Sequence, residues 1–316
     1  MDPIVTVIIP THNSADLIDR CLESVLNQSE KNYEIITVDD QSTDDTRRVL
    51  QNYKTSLNNF SYFETPNRLM AGGARNIGLD HHKGKYVCFI DSDDWIDTNY
   101  LHYMISSIEE ENSDVSISGV KREYPNAKDS EEHYKYNRKN VINGRYALCL
   151  LSRVIDQDIA ISAITTNKIY RSQFIKKHRL RFLENSINED DVFMFKVFLD
   201  ATRVSITHMT YYHHFQRPNS ISRSFSRKNF SDLMNAFNEI RTVLEDRNIF
   251  SEFRHHYYSF FEKCLQYVLE SMRMAEQDEQ TINAYLKYAY EISHETVSIQ
   301  EFIEYCGYRR IERFFQ

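Results

Sequence analysis

Apolar residues in the first third of the chain fall into two alternating rhythms. Val5–Pro10 (VTVIIP), Glu34–Val38 (EIITV), Phe60–Thr65 (FSYFET) and Tyr86–Asp91 (YVCFID) are short runs rich in β-branched and aromatic residues. That is the pattern of buried strands. Between them, Leu17, Ile18, Cys21, Leu22, Val25 and Leu26, and later Leu101, Met104, Ile105 and Ile108, recur at helical spacing. Asn13 with Asp16, and Ser42 with Asp45, read as capping pairs that open two helices. Residues 72–82 (GGARNIGLDHH) read as a glycine-loosened turn entering a short helix, and 114–120 (DVSISGV) as a fifth strand. Strands alternating with helices at this spacing predict an α/β fold with a doubly wound, mainly parallel sheet. Such sheets bind ligands at the carboxyl ends of their strands. The polar clusters Thr11–Asn13, Asp39–Asp40, Asn67 and Asp91–Asp94 fall at those ends and predict a single site.

The texture changes near residue 225. Beyond it Gly307 is the only glycine, and 229–250 and 260–277 carry helical periodicity. The expected organisation is an α/β domain over 1–225 and an α-helical region over 226–316. Residues 122–140 (REYPNAKDSEEHYKYNRKN) read as a charged loop or hairpin insert near the site. The aromatic stretch Phe253–Phe261 (FRHHYYSFF) suits either a contact surface or, more commonly, core. A formal charge of −8 argues against a general nucleic-acid binder. Five widely spaced cysteines without a C-x-x-C read as reduced thiols of a cytosolic protein. The start of the chain does not read as a signal peptide, and no apolar run approaches the roughly 18 residues of a membrane span. An intracellular protein, at most touching a membrane surface, is expected.

The segment 86–97 (YVCFIDSDDWID) ends an apolar run in Asp91, Asp93 and Asp94, with the only tryptophan, Trp95, directly behind. Carboxylates this close raise one another's pKa, so a compensating positive charge is expected. Taken alone, the stretch reads equally as a helix N-terminus or as a D-x-D site for a hard divalent cation, Mn2+ or Mg2+.

Four segments, 5–13 (VTVIIPTHN), 34–46 (EIITVDDQSTDDT), 74–94 (ARNIGLDHHKGKYVCFIDSDD) and 188–193 (NEDDVF), stand in collinear order. Together they resemble family 2 glycosyltransferases of the GT-A fold, over roughly residues 4–225. The resemblance implies that Pro10, Thr11 and Asn13 line a nucleotide pocket and that Asp39 reads a uracil edge. It places Asn67 and Arg75 near base and diphosphate. Asp91, with Ser92 beside it, would face the ribose or organise the metal's surroundings, and Asp93 would ligate the metal directly. In Tyr211–Ser224, Arg217 or Arg223 would meet the diphosphate, and His213 or His214 would complete the metal shell. Trp95 reads as a sugar platform or as packing under the site.

Transfer from a UDP-sugar needs a base for the acceptor hydroxyl. The resemblance assigns that role to Asp190, with Glu189 as a neighbour and Asp191 as the alternative. In Asn167–Phe182 the basic residues are expected mostly at the surface, with Lys168 the one singled out. The implied activity is inverting, metal-dependent transfer from a UDP-sugar to a glycan, glycopolymer or lipid-linked acceptor at the cytoplasmic face of a membrane. The helical tail is a candidate surface for acceptor, membrane or a second copy. Two other readings stand beside it. A nucleotidyltransferase would carry a glycine-rich loop where Pro10–Ser14 (PTHNS) has none. A non-catalytic module keeping the nucleotide site is opposed by the acids at 189–191.

Overall fold

The computed structural model describes residues 2–125, 130–152, 159–217, 227–274, 280–281 and 284. The expectations for Arg223, Cys306 and the chain after 284 lie outside those residues. The chain divides into two compact units, Met1–Ala147 with Ile159–Pro218, and Leu148–Asp158 with Asn219–Gln316.

In the first unit, the run of elements is β1 (Val5–Thr11), α1 (Ile18–Leu26), β2 (Tyr33–Asp39), α2 (Thr46–Ser56), β3 (Phe60–Glu64), α3 (Met70–His81), β4 (Tyr86–Phe89), β5 (Trp95–Ile96) and α4 (Tyr100–Glu110). There follow β6 (Val115–Glu123), β7 (Glu131–Tyr134), β8 (Asn140–Ile142), α5 (Gly144–Leu151), β9 (Lys168–Arg171), α6 (Ser172–Lys177), α7 (Glu189–Asp200) and β10 (Val204–Phe215). The sheet order is β3-β2-β1-β4-β9-β6-β10-β5, with β7 beside β6 and β8 beside β10. β1 to β4 pair in parallel, as the alternation predicts. All seven residues of β1 are buried, the signature of a strand covered on both faces. Beyond β4 the sheet is mixed. β9 enters antiparallel to both β4 and β6, and β5 lies antiparallel to β10. The insert at 122–140 is the hairpin alternative: β6 and β7 pair antiparallel, Val120 opposite Tyr134.

Two apolar layers hold the sheet. On one side Ile18, Cys21, Leu22 and Val25 of α1 and Leu101, Met104, Ile105 and Ile108 of α4 join the strand residues in one core. Elsewhere Phe89, Tyr170, Phe182 and Phe193 form an aromatic block, in which Phe182 and Phe193 stack with centroids 3.9 Å apart. This block becomes the floor of the site.

Residues 72–82 are not a turn followed by a short helix. α3 takes in both glycines, because the space at Gly72 forbids a side chain: a Cβ there would stand 2.3 Å from the Leu183 carbonyl oxygen and 3.1 Å from Glu189 Cβ. The expected capping pairs also resolve differently. Leu17 and Asp45, which precede α1 and α2, make no side-chain cap bond; the Thr46 amide that opens α2 donates to Asp44 Oδ1 at 3.0 Å instead. Asn13 and Ser42 instead join two loops. The Asn13 amide donates to Ser42 Oγ at 2.9 Å, and the Thr43 amide donates to Asn13 Oδ1 at 2.8 Å.

In the second unit, α8 (Arg227–Asp246) and α9 (Phe250–Met274) carry the expected helical periodicity. Phe237 of α8 meets Tyr257, Phe260 and Phe261 of α9 at 5.0–5.7 Å, so the aromatic stretch 253–261 is largely core. Among the described residues, no helix is long and apolar enough to cross a membrane.

Gly72→Ala is expected to destabilise the protein by about 1–3 kcal/mol, because backbone must shift to admit the methyl group. Chemical denaturation checks this; an unchanged midpoint would show that the Leu183 carbonyl yields freely.

Candidate active site

Parallel register brings the strand ends together. Thr11 stands opposite Asp39, Asp39 opposite Glu64, and Ile8 opposite Phe89, just before Asp91. A carboxylate at a buried strand end needs partners. Asp39 accepts from the Ser42 amide at 3.0 Å, from Ser42 Oγ, and from Arg47 Nε at 3.0 Å. Asp40 accepts from the Leu69 and Met70 amides at 2.7 and 2.8 Å and from Arg68 Nε at 2.8 Å, fixing the loop into α3.

The acids behind β4 divide by environment. Asp94 is sealed, accepting from Tyr212 Oη at 2.6 Å and the Phe215 amide at 2.8 Å. Burial pushes its carboxyl well above the usual range, and Asp93 and Asp91 push the same way. Asp93 is also raised, by burial and then by Asp91, against the opposing charge of Arg217. Arg217 Nε donates to Asp93 Oδ2 at 2.5 Å. Arg20 donates to the Asp93 backbone oxygen at 2.7 Å and lies 4.0 Å over the Trp95 ring. Tyr212 ties the loop together, its hydroxyl also accepting from the Asp91 amide at 3.1 Å.

The compensating charge anticipated for this cluster is Arg75. Its side chain is 2% exposed and lies 5.2 Å over Phe182. Nη2 donates to Asp91 Oδ1 at 2.7 Å; Nη1 donates to Glu189 Oε1 at 2.8 Å and Asp190 Oδ1 at 3.2 Å. Burial alone would lower the guanidinium pKa, but Asp190, Asp91 and Glu189 more than reverse that. Glu189 and Asp190 open α7. Asp190 also accepts from Thr165, the amide at 3.1 Å and Oγ1 at 2.9 Å. Burial raises Asp190; Arg75 opposes, and Asp91 adds to the rise. Glu189 is pushed up to about 7, by burial and then by Asp190, with Arg75 opposing. Asp191 takes Asn188 Nδ2 at 2.9 Å and does not join Arg75.

The structure therefore brings Asp91, Glu189 and Asp190 around one cation and sets Arg217 on Asp93. Arg75 lies buried among the acids. Asp39 is fully buried, with Ser42 and Arg47 on its oxygens. Ser92 is buried and pairs its hydroxyl with Ser14 Oγ at 2.7 Å. His213 is held between Glu123 and Asp97 at 2.7 and 2.9 Å, with both ring nitrogens occupied. His214 follows on β10, where neighbouring side chains point to opposite faces. Trp95 is stacked between His213 and Arg20 and serves as packing. Pro10 and Thr11 are buried at the end of β1, while Asn13 and Asn67 are exposed. Thr165, Tyr212 and Arg20 escaped the sequence reading: nothing local marks them, because each acts on an acid far along the chain.

Among the described residues, no three His, Cys, Asp or Glu side chains converge as a metal-binding group, and His214 does not join Asp91 and Asp93. The donor chemistry still fits Mn2+ or Mg2+, which commonly take one or two carboxylates and complete their shell with phosphates and water. Asp91 and Asp93 offer hard oxygens that keep 37% and 16% side-chain exposure, unlike Asp94.

A mixed sheet with flanking helices and an acid cluster at its strand mouths defines a GT-A class of protein. The glycosyl transferase family 2 profile matches residues 6–200, and the chain belongs to that family. It is 28% identical over 253 residues to glycosyltransferase GlyA of Streptococcus pneumoniae, covering 77% of this chain and 35% of GlyA. It is 30% identical over 267 residues to the poly(ribitol-phosphate) beta-N-acetylglucosaminyltransferase TarS of Staphylococcus aureus, covering 81% of this chain and 44% of TarS. The chain thus spans about a third of one relative and under half of the other. The crystal structure of TarS 1–349 in complex with UDP-GlcNAc has the same fold, with a TM-score of 0.64 at 21% identity, covering 99% of this chain and 92% of that one.

Glu189 binds its proton more tightly folded than unfolded. Its contribution to stability is therefore complete below about 4.5 and lost as pH climbs through about 7. Glu189→Gln, which stays neutral, is expected to flatten that decline. Urea midpoints at acid and neutral pH check this; parallel profiles for the two proteins would contradict it.

Proposed function

We propose that this family 2 glycosyltransferase catalyses inverting, metal-dependent transfer of a sugar from a UDP-sugar to an acceptor hydroxyl. The observation that carries the reading is the Arg75 bridge. It joins Asp91, at the mouth of β4, to Glu189 and Asp190, at the start of α7. One charge network thereby serves the donor side and the acceptor side.

Asp190 is the base. Its side chain is 24% exposed, against 10% for Glu189, and Thr165 and Arg75 fix its orientation. It takes the proton of the acceptor hydroxyl as that oxygen bonds to the anomeric carbon. The bond from that carbon to the diphosphate oxygen breaks on the opposite face, and UDP leaves. A carboxylate raised by burial is a stronger base than a free one. Glu189, nearer neutral, shapes the acceptor side. Asp93, with Asp91, would hold Mn2+ or Mg2+, which supplies Lewis-acid stabilisation of the leaving diphosphate. Arg217, on Asp93, is placed to meet the same diphosphate as a bidentate donor. Exposed Asn13 and Asn67 flank the nucleotide side, with Pro10 and Thr11 shaping its floor.

The relatives indicate where to look first. UDP-GlcNAc is the donor to test and an anionic ribitol-phosphate polymer the first acceptor, with a wall, capsular or lipid-linked glycan at the cytoplasmic face as the wider class.

Calorimetric titration of UDP, with Mn2+ and with EDTA, is expected to show metal-dependent binding that Asp93→Asn abolishes. Asp190→Asn is expected to keep UDP affinity while UDP release from UDP-GlcNAc falls about 100-fold or more. Absence of UDP binding in both conditions would sink the donor assignment. Binding without metal dependence would remove the metal role, and full turnover by Asp190→Asn would remove the base.

A further inference from the structure

Lys168 is the first residue of β9, and its side chain is completely buried. The sequence placed this basic segment mostly at the surface. The ammonium group has three donors, and three acceptors meet them: the Ser162 carbonyl at 3.1 Å, the Ile164 carbonyl, and Asn167 Oδ1 at 2.7 Å. None is a carboxylate. A buried ammonium without a paired anion is costly, and an apolar side chain of that length would fill the space at lower cost.

The acceptors share one feature: all lie in the segment 162–167, which wraps the ammonium. That segment carries Thr165, whose amide and hydroxyl grip the two oxygens of Asp190. Two further bonds fasten it at Thr165 and Asn167. Tyr170 Oη donates to the Thr165 carbonyl at 3.0 Å, and Asn167 Nδ2 donates to the Ser118 carbonyl at 2.7 Å. Lys168 thus pulls inward on the carbonyls flanking Thr165, which leaves the Thr165 amide and hydroxyl facing Asp190. Asp190 in turn favours the charged amine.

We infer that Lys168 is a positioning residue for Asp190: it shapes the 162–167 segment so that Thr165 orients the carboxylate. The inference rests on the proposed role of Asp190 for its bearing on catalysis, but the linkage itself can be read without turnover.

The groups acting on Asp190 are Arg75 from α3, Asp91 behind β4, Thr165 and, beside it on α7, Glu189, while Lys168 and Tyr170 of β9 both feel its charge. Burial pushes the Lys168 amine down to about 7, so at the acid pH where a carboxylate titrates it still carries its charge.

The test uses the full chain labelled with 15N-threonine, with Thr165→Val identifying the Thr165 amide. In the wild type that amide is expected to shift with pH as Asp190 titrates, and Asp190→Asn should abolish the shift. In Lys168→Met the midpoint is expected to rise by about one pH unit. Protection of the Thr165 amide from hydrogen exchange should fall at least about tenfold. Lys168→Gln, which keeps amide donors, should restore part of the protection and, with it, part of the midpoint. A lysine with a purely structural role would leave the midpoint in place, and an unmoved midpoint in either variant that still binds UDP overturns the inference. Should neither variant fold, a wild-type Thr165 amide indifferent to pH or to Asp190→Asn overturns it too. Turnover by Asp190→Asn, by contrast, would remove the base assignment and leave the linkage standing.

Discussion

A single buried guanidinium facing three carboxylates is the interaction on which the site depends. Arg75 is drawn from α3, Asp91 from the loop behind β4, and Glu189 and Asp190 from α7. The two acids of α7 do not tolerate burial unaided: Glu189 and Asp190 are both pushed towards neutrality despite the arginine. Without it they would be unpaired charges in a low-dielectric floor of aromatic rings, a far costlier state than a broken surface pair. Much of the local architecture follows from admitting this one side chain. Gly72 lets α3 approach the Leu183 carbonyl and Glu189, and Phe182 lies under the guanidinium.

The second acid group is organised by different means. Asp94 is pushed towards neutrality by burial and tied to β10 through Tyr212 and the Phe215 amide, so it acts as a fastening. Asp93 and Asp91 keep part of their surface in solvent, where a cation could reach them. Trp95, His213 and Arg20 stack behind them and hold the loop from below. The result is a gradient, from a sealed acid that fixes the backbone to exposed acids that can exchange partners. Arg217 belongs to the exposed end, on Asp93, and is the cation best placed to move with a ligand.

The legible parts of the sequence are those in which chemistry is local. β1, β2 and β4 are buried on both faces, so their residues form continuous β-branched runs. Their carboxyl ends carry the polar clusters, and that coincidence located the site. Residue order leaves Asp190 and Asp191 alike, because the partner that sets them apart, Arg75, lies 115 residues from Asp190. β9 and β10 were obscured for a related reason. Lys168 is a charged residue at a fully buried strand start, and Tyr211–Phe215 reads as a polar aromatic segment until its pairing with β6 and β5 is known. Asn13 and Ser42 have capping composition, yet they satisfy each other's loops across 29 residues. Asp39 was legible as a strand-end acid, but its partners Ser42 and Arg47 were not.

The most direct measurement is the unfolding free energy of Arg75→Met, which removes the charge while keeping most of the volume. A loss of about 3–5 kcal/mol is expected, because three acids are left without their common partner. A change within about 0.5 kcal/mol would show that the acids are satisfied without Arg75 and would contradict its central place.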